Sequence, residues 1–106
     1  MNFHAHIYYT EETKSTAKEV RQQVLLQKLW DCTVGDLRDE PIGPHPQPMF
    51  QISFVGEEFS DIVQWLMFNR EGLIVLIHPR TTDELLDHTL YSMWMGKILT
   101  LDLTKL

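Results

Sequence analysis

The feature that most constrains this chain is a period-two alternation that occurs twice. In Phe3–Tyr9, the side chains of Phe3, Ala5, Ile7 and Tyr9 fall on one side and those of His4, His6 and Tyr8 on the other. In Met49–Val55, Phe50, Ile52 and Phe54 oppose Met49, Gln51 and Ser53. This pattern belongs to strands with one buried face. A third segment, Leu73–Ile77, is apolar without a break, as in a strand covered on both faces, and it closes at His78-Pro79.

Helix-period stretches lie between these strands. Thr10 before Glu11 and Glu12, or Thr16 with Glu19, would open a helix over about 12–30 whose stripe is Ala17, Val20, Val24 and Leu25, reaching Trp30. Ser60 would cap a second helix with Ile62, Val63, Leu66 and Met67 inward, stopped by a left-handed Gly72. Thr81 and Glu84 form a capping box for a third helix running to about Met93. A short edge strand at Val34–Arg38 precedes a turn-rich stretch ending at Pro48, and the alternation of Leu99, Leu101 and Leu103 predicts a terminal strand.

The resulting order is the ferredoxin-like split βαβ pattern (βαββαβ) of the α+β class, with an appended C-terminal helix and strand. It predicts a single domain over 1–106, an antiparallel sheet of order 4-1-3-2, and helices on one face. The other face carries Tyr8 and Met49 and needs a cover. A homodimer closing sheet on sheet into an α/β barrel supplies one economically.

Composition narrows the function classes. The chain has 106 residues, 43% of them hydrophobic, enough for a packed core and against disorder. Nine Lys and Arg against 15 Asp and Glu leave a net charge of -6, which argues against a nucleic-acid partner. The longest apolar run, Leu73–Ile77, is far short of the roughly 20 residues of a membrane span, so no membrane association is expected. One cysteine, Cys32, excludes a disulfide framework, and no leader is visible at Met1-Asn2-Phe3-His4, so a cytoplasmic location is expected.

Five histidines remain as the chemistry-bearing residues. His4 and His6 share one strand face, about 7 Å apart. Strand one runs antiparallel to strand four in this topology, so His78 falls beside the start of strand one, on the same open side if Ile77 faces the helices. His4, His6 and His78 are thus candidate metal ligands, with Gln51 joining from strand three. His45, in Gly43-Pro44-His45-Pro46, should sit near Tyr8 and away from His78, as a turn residue. His88, beside Asp87, reads as a helix-surface histidine, since adjacent helical residues do not face each other.

The segments FHAHIYY (3–9), GPHPQPMFQISF (43–54), WLMFNREGLIVLIHP (65–79), DHTLYSMWMG (87–96) and LTLDL (99–103) resemble the DOPA 4,5-dioxygenase family of fungal and bacterial proteins. Each histidine falls inside one of these motifs. The resemblance implies a dimeric, ferredoxin-like oxidoreductase that cleaves the ring of a small catechol such as L-DOPA in extradiol fashion, with O2 as co-substrate. Carried over by motif, the implied active-site positions are His6, His45, His78 and His88, with His4 beside His6.

Catechol and O2 meeting on a ferrous ion favour neutral nitrogen and carboxylate ligands, so Fe(II) is the expected cofactor, with Zn as a possible occupant of a purified sample. His4, His6 and His78 are the expected ligands. His45 and His88 are the catalytic acid/base or substrate-binding candidates, and Tyr8, Gln51 and Arg80 are expected to orient the substrate. No acidic residue falls on the strand positions facing the ligands, and Asp61, Asp83 and Asp87 are reachable only through loops or from a second subunit. The ligand set is then all-histidine or completed by water. Two other readings fit the same residues: a non-catalytic dimeric domain binding a metal or small aromatic ligand, and a structural protein with incidental histidines.

Overall fold

A computed structural model of the chain describes residues 1–27 and 29–106. Its elements are β1 (Asn2–Tyr8), α1 (Lys14–Leu25), β2 (Cys32–Val34), β3 (Met49–Val55), α2 (Phe59–Asn69), β4 (Val75–Pro79), α3 (Glu84–Asp87) and β5 (Met93–Met95). The strands form one sheet of order β2-β3-β1-β4-β5, antiparallel at every junction. The first four strands take the expected 4-1-3-2 order, and β5 adds to the outer edge of β4.

The alternation in β1 and β3 separates two environments. On one side Ala5, Ile7, Phe50, Ile52, Phe54, Val75 and Ile77 meet Ala17, Val20 and Val24 of α1 and Ile62, Val63 and Leu66 of α2 in a single buried core. Each large aliphatic chain buried there stabilises the fold by about 1.5–3 kcal/mol. On the other side Tyr8, Met49 and Leu76 form a smaller cluster, against which Trp94, Leu99 and Leu101 pack. The stretch after β5 therefore covers part of the face that the sequence pattern left bare, and a second copy is not needed for that part.

Several expected boundaries move, each for a local reason. Helix α1 opens at Thr13, whose hydroxyl accepts from the Thr10 amide at 2.8 Å, so neither Thr10 nor Thr16 caps it. It ends at Leu25, and Trp30 reaches the helical layer only after a turn, packing edge-on against Trp65. The expected span 12–30 also includes Lys28, which lies outside the described residues. Strand β2 is earlier and shorter than expected because the chain bows away after Gly35 donates to the Gln51 carbonyl, and Arg38 rejoins β3 only at Met49. Ser60 lies inside α2 after a 3-10 turn at Gly56–Glu58 and accepts from Gln64 rather than capping.

The C-terminal third departs most. Helix α3 has four residues instead of reaching Met93; Asp83 caps it, and Met93 belongs to β5. No strand forms over Leu99–Leu103, where the alternation records packing onto the second cluster and the final turn at Leu103–Lys105 is 3-10. Strand β4 continues through His78 and ends at Pro79, opposite Phe3, and the Arg80 amide beyond it still donates to the Asn2 carbonyl at 2.8 Å.

Candidate functional site

The β1–β4 register sets His4 directly across from His78, two pairs away from His6 opposite Leu76. Alternation turns all three imidazoles to the face away from the helices. His6 Nε2 and His78 Nε2 stand 3.0 Å apart, and one nitrogen from each of His4, His6 and His78 lies within 4.8 Å of the others. His78 Nδ1 is 2.8 Å from the Pro79 carbonyl, an acceptor that places the proton on Nδ1 and leaves Nε2 its lone pair.

A divalent cation fits this set. Two nitrogens at about 2.1 Å from an ion and at right angles are about 3.0 Å apart, the separation found here. His6 is 2% exposed, yet its Nδ1 has no hydrogen-bond partner, and an orphaned buried polar atom costs about 1–3 kcal/mol. That atom stays without a partner whether or not Nε2 is ligated, so the fit rests on the separation of the nitrogens. The trio is all histidine, and Glu84 and Asp87 line the same cleft.

Burial governs the charge state. It pulls the pKa of His4 down to about 4, with His78 and Arg80 adding to the effect. Burial, then His88 and His78, hold His45 at about 4. His6 is driven well below the ordinary range, by burial first, and His78 moves the same way, partly opposed by its bond to Pro79. Near neutral pH these four rings are uncharged, which keeps ring lone pairs available to a metal.

The structure corrects the placement of the two remaining histidines. His45 sits near Tyr8 as expected, but it is no isolated turn residue: its ring centroid lies 4.1 Å from that of His6. His88 is not a solvated helix residue: its centroid is 4.1 Å from that of His78. All five imidazoles form one cluster. Gly43 at φ +56° shapes the turn carrying His45, and the Asp102 amide donates to the Pro44 carbonyl at 2.9 Å, clamping that turn from the C-terminal stretch.

His88 is held by a device the sequence reading missed. Asp87 is 2% exposed and accepts from the Thr81 amide at 2.9 Å and the Thr81 hydroxyl at 2.6 Å, tying α3 to the end of β4. Its carboxylate turns to Thr81 rather than to His88. The only sequence signal was Thr81 itself, which looked like a cap.

The histidines line a cleft of about 240 Å³ together with Gln51 and Arg80. Gln51 Nε2 is 3.0 Å from the Ser53 hydroxyl and 3.4 Å from His4 Nε2. Arg80 is exposed at the rim. Tyr8, expected to orient a substrate, is 1% exposed and stands behind His45, its hydroxyl 2.6 Å from His45 Nδ1. A larger hollow of about 560 Å³ between α1 and α2 contains none of the histidines.

Known proteins resemble this chain over nearly its whole length. The chain matches the family model described as the Dopa 4,5-dioxygenase family over residues 3–105. An uncharacterized 21.2 kDa protein of Botryotinia fuckeliana is 38% identical, over 96% of this chain and 61% of its own length. DOPA 4,5-dioxygenase of Amanita muscaria is 32% identical, over 98% of this chain and 49% of its own length. The chain thus spans 49% to 61% of the length of these curated relatives. The crystal structure of a candidate dioxygenase from Nostoc punctiforme superposes with a TM-score of 0.90 at 42% identity, covering 95% of this chain and 86% of that one. A shared fold at this level and a family pattern matched over nearly every residue carry one conclusion: the chain belongs to the Dopa 4,5-dioxygenase family.

Proposed function

We propose that this chain is a metal-dependent dioxygenase of extradiol type, opening the ring of a small catechol such as L-DOPA with O2. The observation that carries the reading is the approach of His6 Nε2 and His78 Nε2 to 3.0 Å, with His4 beside them. Family membership supports the oxygenase class.

In this reading His4, His6 and His78 hold a ferrous ion, and zinc would use the same nitrogens. The ion, when bound, supplies the redox centre that joins an aromatic diol to O2. The chain supplies the rest. Neutral imidazoles make the face a donor of lone pairs. His45 and His88 flank the trio and handle protons at the substrate oxygens. Arg80 at the rim can take a substrate carboxylate through two parallel N–H donors, and Gln51 offers an amide to the ring substituents. Tyr8 orients the substrate only indirectly, by holding His45. A homodimeric, ferredoxin-like barrel in the cytoplasm completes the proposal; the exposed Leu90 and Ile98 are apolar surface that a second copy would cover.

The test is anaerobic loading with Fe(II), then O2 with L-DOPA or caffeate. A yellow ring-fission product with stoichiometric O2 uptake is expected. Metal binding without O2 uptake on any catechol tested would establish the non-catalytic binding domain instead.

A further inference from the structure

Two histidines flank the ligating trio in matching poses. His45 lies 4.1 Å from His6 and His88 lies 4.1 Å from His78, each ring pair inclined by 40°. Both turn Nδ1 into a hydrogen bond within the protein, but the partners differ in kind.

His88 Nδ1 is 2.7 Å from the backbone carbonyl oxygen of Glu84, one helical turn earlier. A carbonyl has no proton to give, so a neutral His88 must carry its proton on Nδ1, leaving a lone pair on Nε2. His45 Nδ1 is 2.6 Å from the Tyr8 hydroxyl. That hydroxyl belongs to a residue 1% exposed, clustered with Met49, Leu76 and Trp94, and among the described residues it has no other hydrogen bond. Were Nδ1 the donor, the phenolic proton would be stranded at a cost of about 1–3 kcal/mol. Burial also makes the phenol harder to ionise, so the O–H persists and donates to His45. The His45 proton then sits on Nε2.

We infer that Tyr8 and the Glu84 carbonyl impose opposite tautomers on the two flanking imidazoles, so that His45 meets a cleft ligand as a donor at Nε2 and His88 meets it as an acceptor at Nε2. One ring nitrogen of each is spent on the protein, and Nε2 is what remains for the cleft. A ligand that satisfies both offers an acceptor oxygen to His45 and a hydroxyl to His88. Two adjacent oxygens of a dihydroxy ring meet this requirement; a ring methylated at the His88 side does not, because an ether has no proton for the waiting lone pair. Tyr8 is a positioning residue: it acts by deciding which character His45 presents. The bearing on catalysis rests on the dioxygenase proposal, whereas the tautomers do not.

The test reads the tautomers directly, by long-range 15N–1H correlation spectra of the metal-free protein at neutral pH. His88 should show protonated Nδ1 and bare Nε2, and His45 the reverse. In Tyr8→Phe, the His45 pattern should lose its fixed Nε2–H form while the His88 pattern stays. A wild-type spectrum with both rings in the same tautomer, or with the two reversed, overturns the inference, and the wild-type protein alone decides this should the variant fold poorly. An unchanged His45 pattern in folded Tyr8→Phe overturns the role of Tyr8. Expected tautomers in a protein that cleaves no catechol would defeat the functional proposal and leave the tautomers standing.

Discussion

The two faces of one sheet are built on different rules. The face toward α1 and α2 is held by shape and apolar area: Ala5, Phe50, Ile52 and Val75 have no exposed surface, and none needs a particular partner. The opposite face carries His4, His6, His78, Tyr8 and Gln51, and most of these polar groups answer to one named neighbour. Interchangeable contacts tolerate substitution at the cost of stability, whereas one-to-one contacts fail locally and take function with them. The contrast is therefore between a surface held by apolar area and a surface of paired polar groups, on which the proposed chemistry rests.

Breaking the second face should give the largest effect on activity. His78→Ala removes one of the two closest nitrogens, and we expect loss of bound metal by elemental analysis with at least a roughly 100-fold fall in O2 uptake, the upper end of what even outer-shell changes cost. Its melting temperature should stay near that of the parent in the metal-free state. Retained metal and turnover would remove His78 from the site.

Breaking the first face should reverse this signature. Phe50→Ala opens a cavity beneath β3 and should cost about 3–5 kcal/mol in denaturant unfolding. A loss below 1 kcal/mol would mean that the helical layer collapses into the space and that the packing there is less specific than described.

Asp87→Asn sharpens the boundary between the two. It keeps the shape but removes the charge that accepts both Thr81 donors, at about 1.5–3 kcal/mol of lost charge-assisted bonding. If the clamp serves His88, turnover should fall several-fold with little change in metal content. Equal losses of metal and turnover would show that the clamp supports the whole cluster.

Acid should strike the histidine face first. His4 and His45 have folded pKa values near 4 against an ordinary 6.5, because burial disfavours their charged forms. As pH falls below 6.5 the unfolded chain takes up protons that the folded chain refuses, so stability is complete above that value and declines progressively toward pH 4. Melting temperatures measured across this window should drop, and His45→Gln should shallow the slope. A flat profile would show that the cleft hydrates on protonation.

The smallest change lies in the helical layer. Glu71 follows α2 with φ +54°, a conformation costly for a residue with a Cβ, so Glu71→Gly should raise stability by up to about 1 kcal/mol.

Much of this was legible in the residues. The alternation in Phe3–Tyr9 and Met49–Val55 predicted two strands and their buried sides, and the order of elements along the chain predicted the 4-1-3-2 order of the first four strands. The grouping of His4, His6 and His78 followed, because a strand's two-residue period and an antiparallel register are local rules that carry side chains to predictable places. The roles of the histidines belong to the proposal.

The rest required the folded chain. His45 is carried by a loop and His88 by a four-residue helix, and neither has a period that reports its distance from β1. Their positions depend on Asp102 clamping Pro44 and on Asp87 binding Thr81, contacts decided by what meets after collapse. The same holds for β5 and the packed Leu99 and Leu101, where alternation alone could not tell strand pairing from packing against a face. The sequence by itself determined a sheet with three imidazoles on one side. The motif resemblance implied that the other two belong with them, but only the tertiary structure decided how they reach the cluster, because backbone periodicity propagates along an element and the meeting of loops does not.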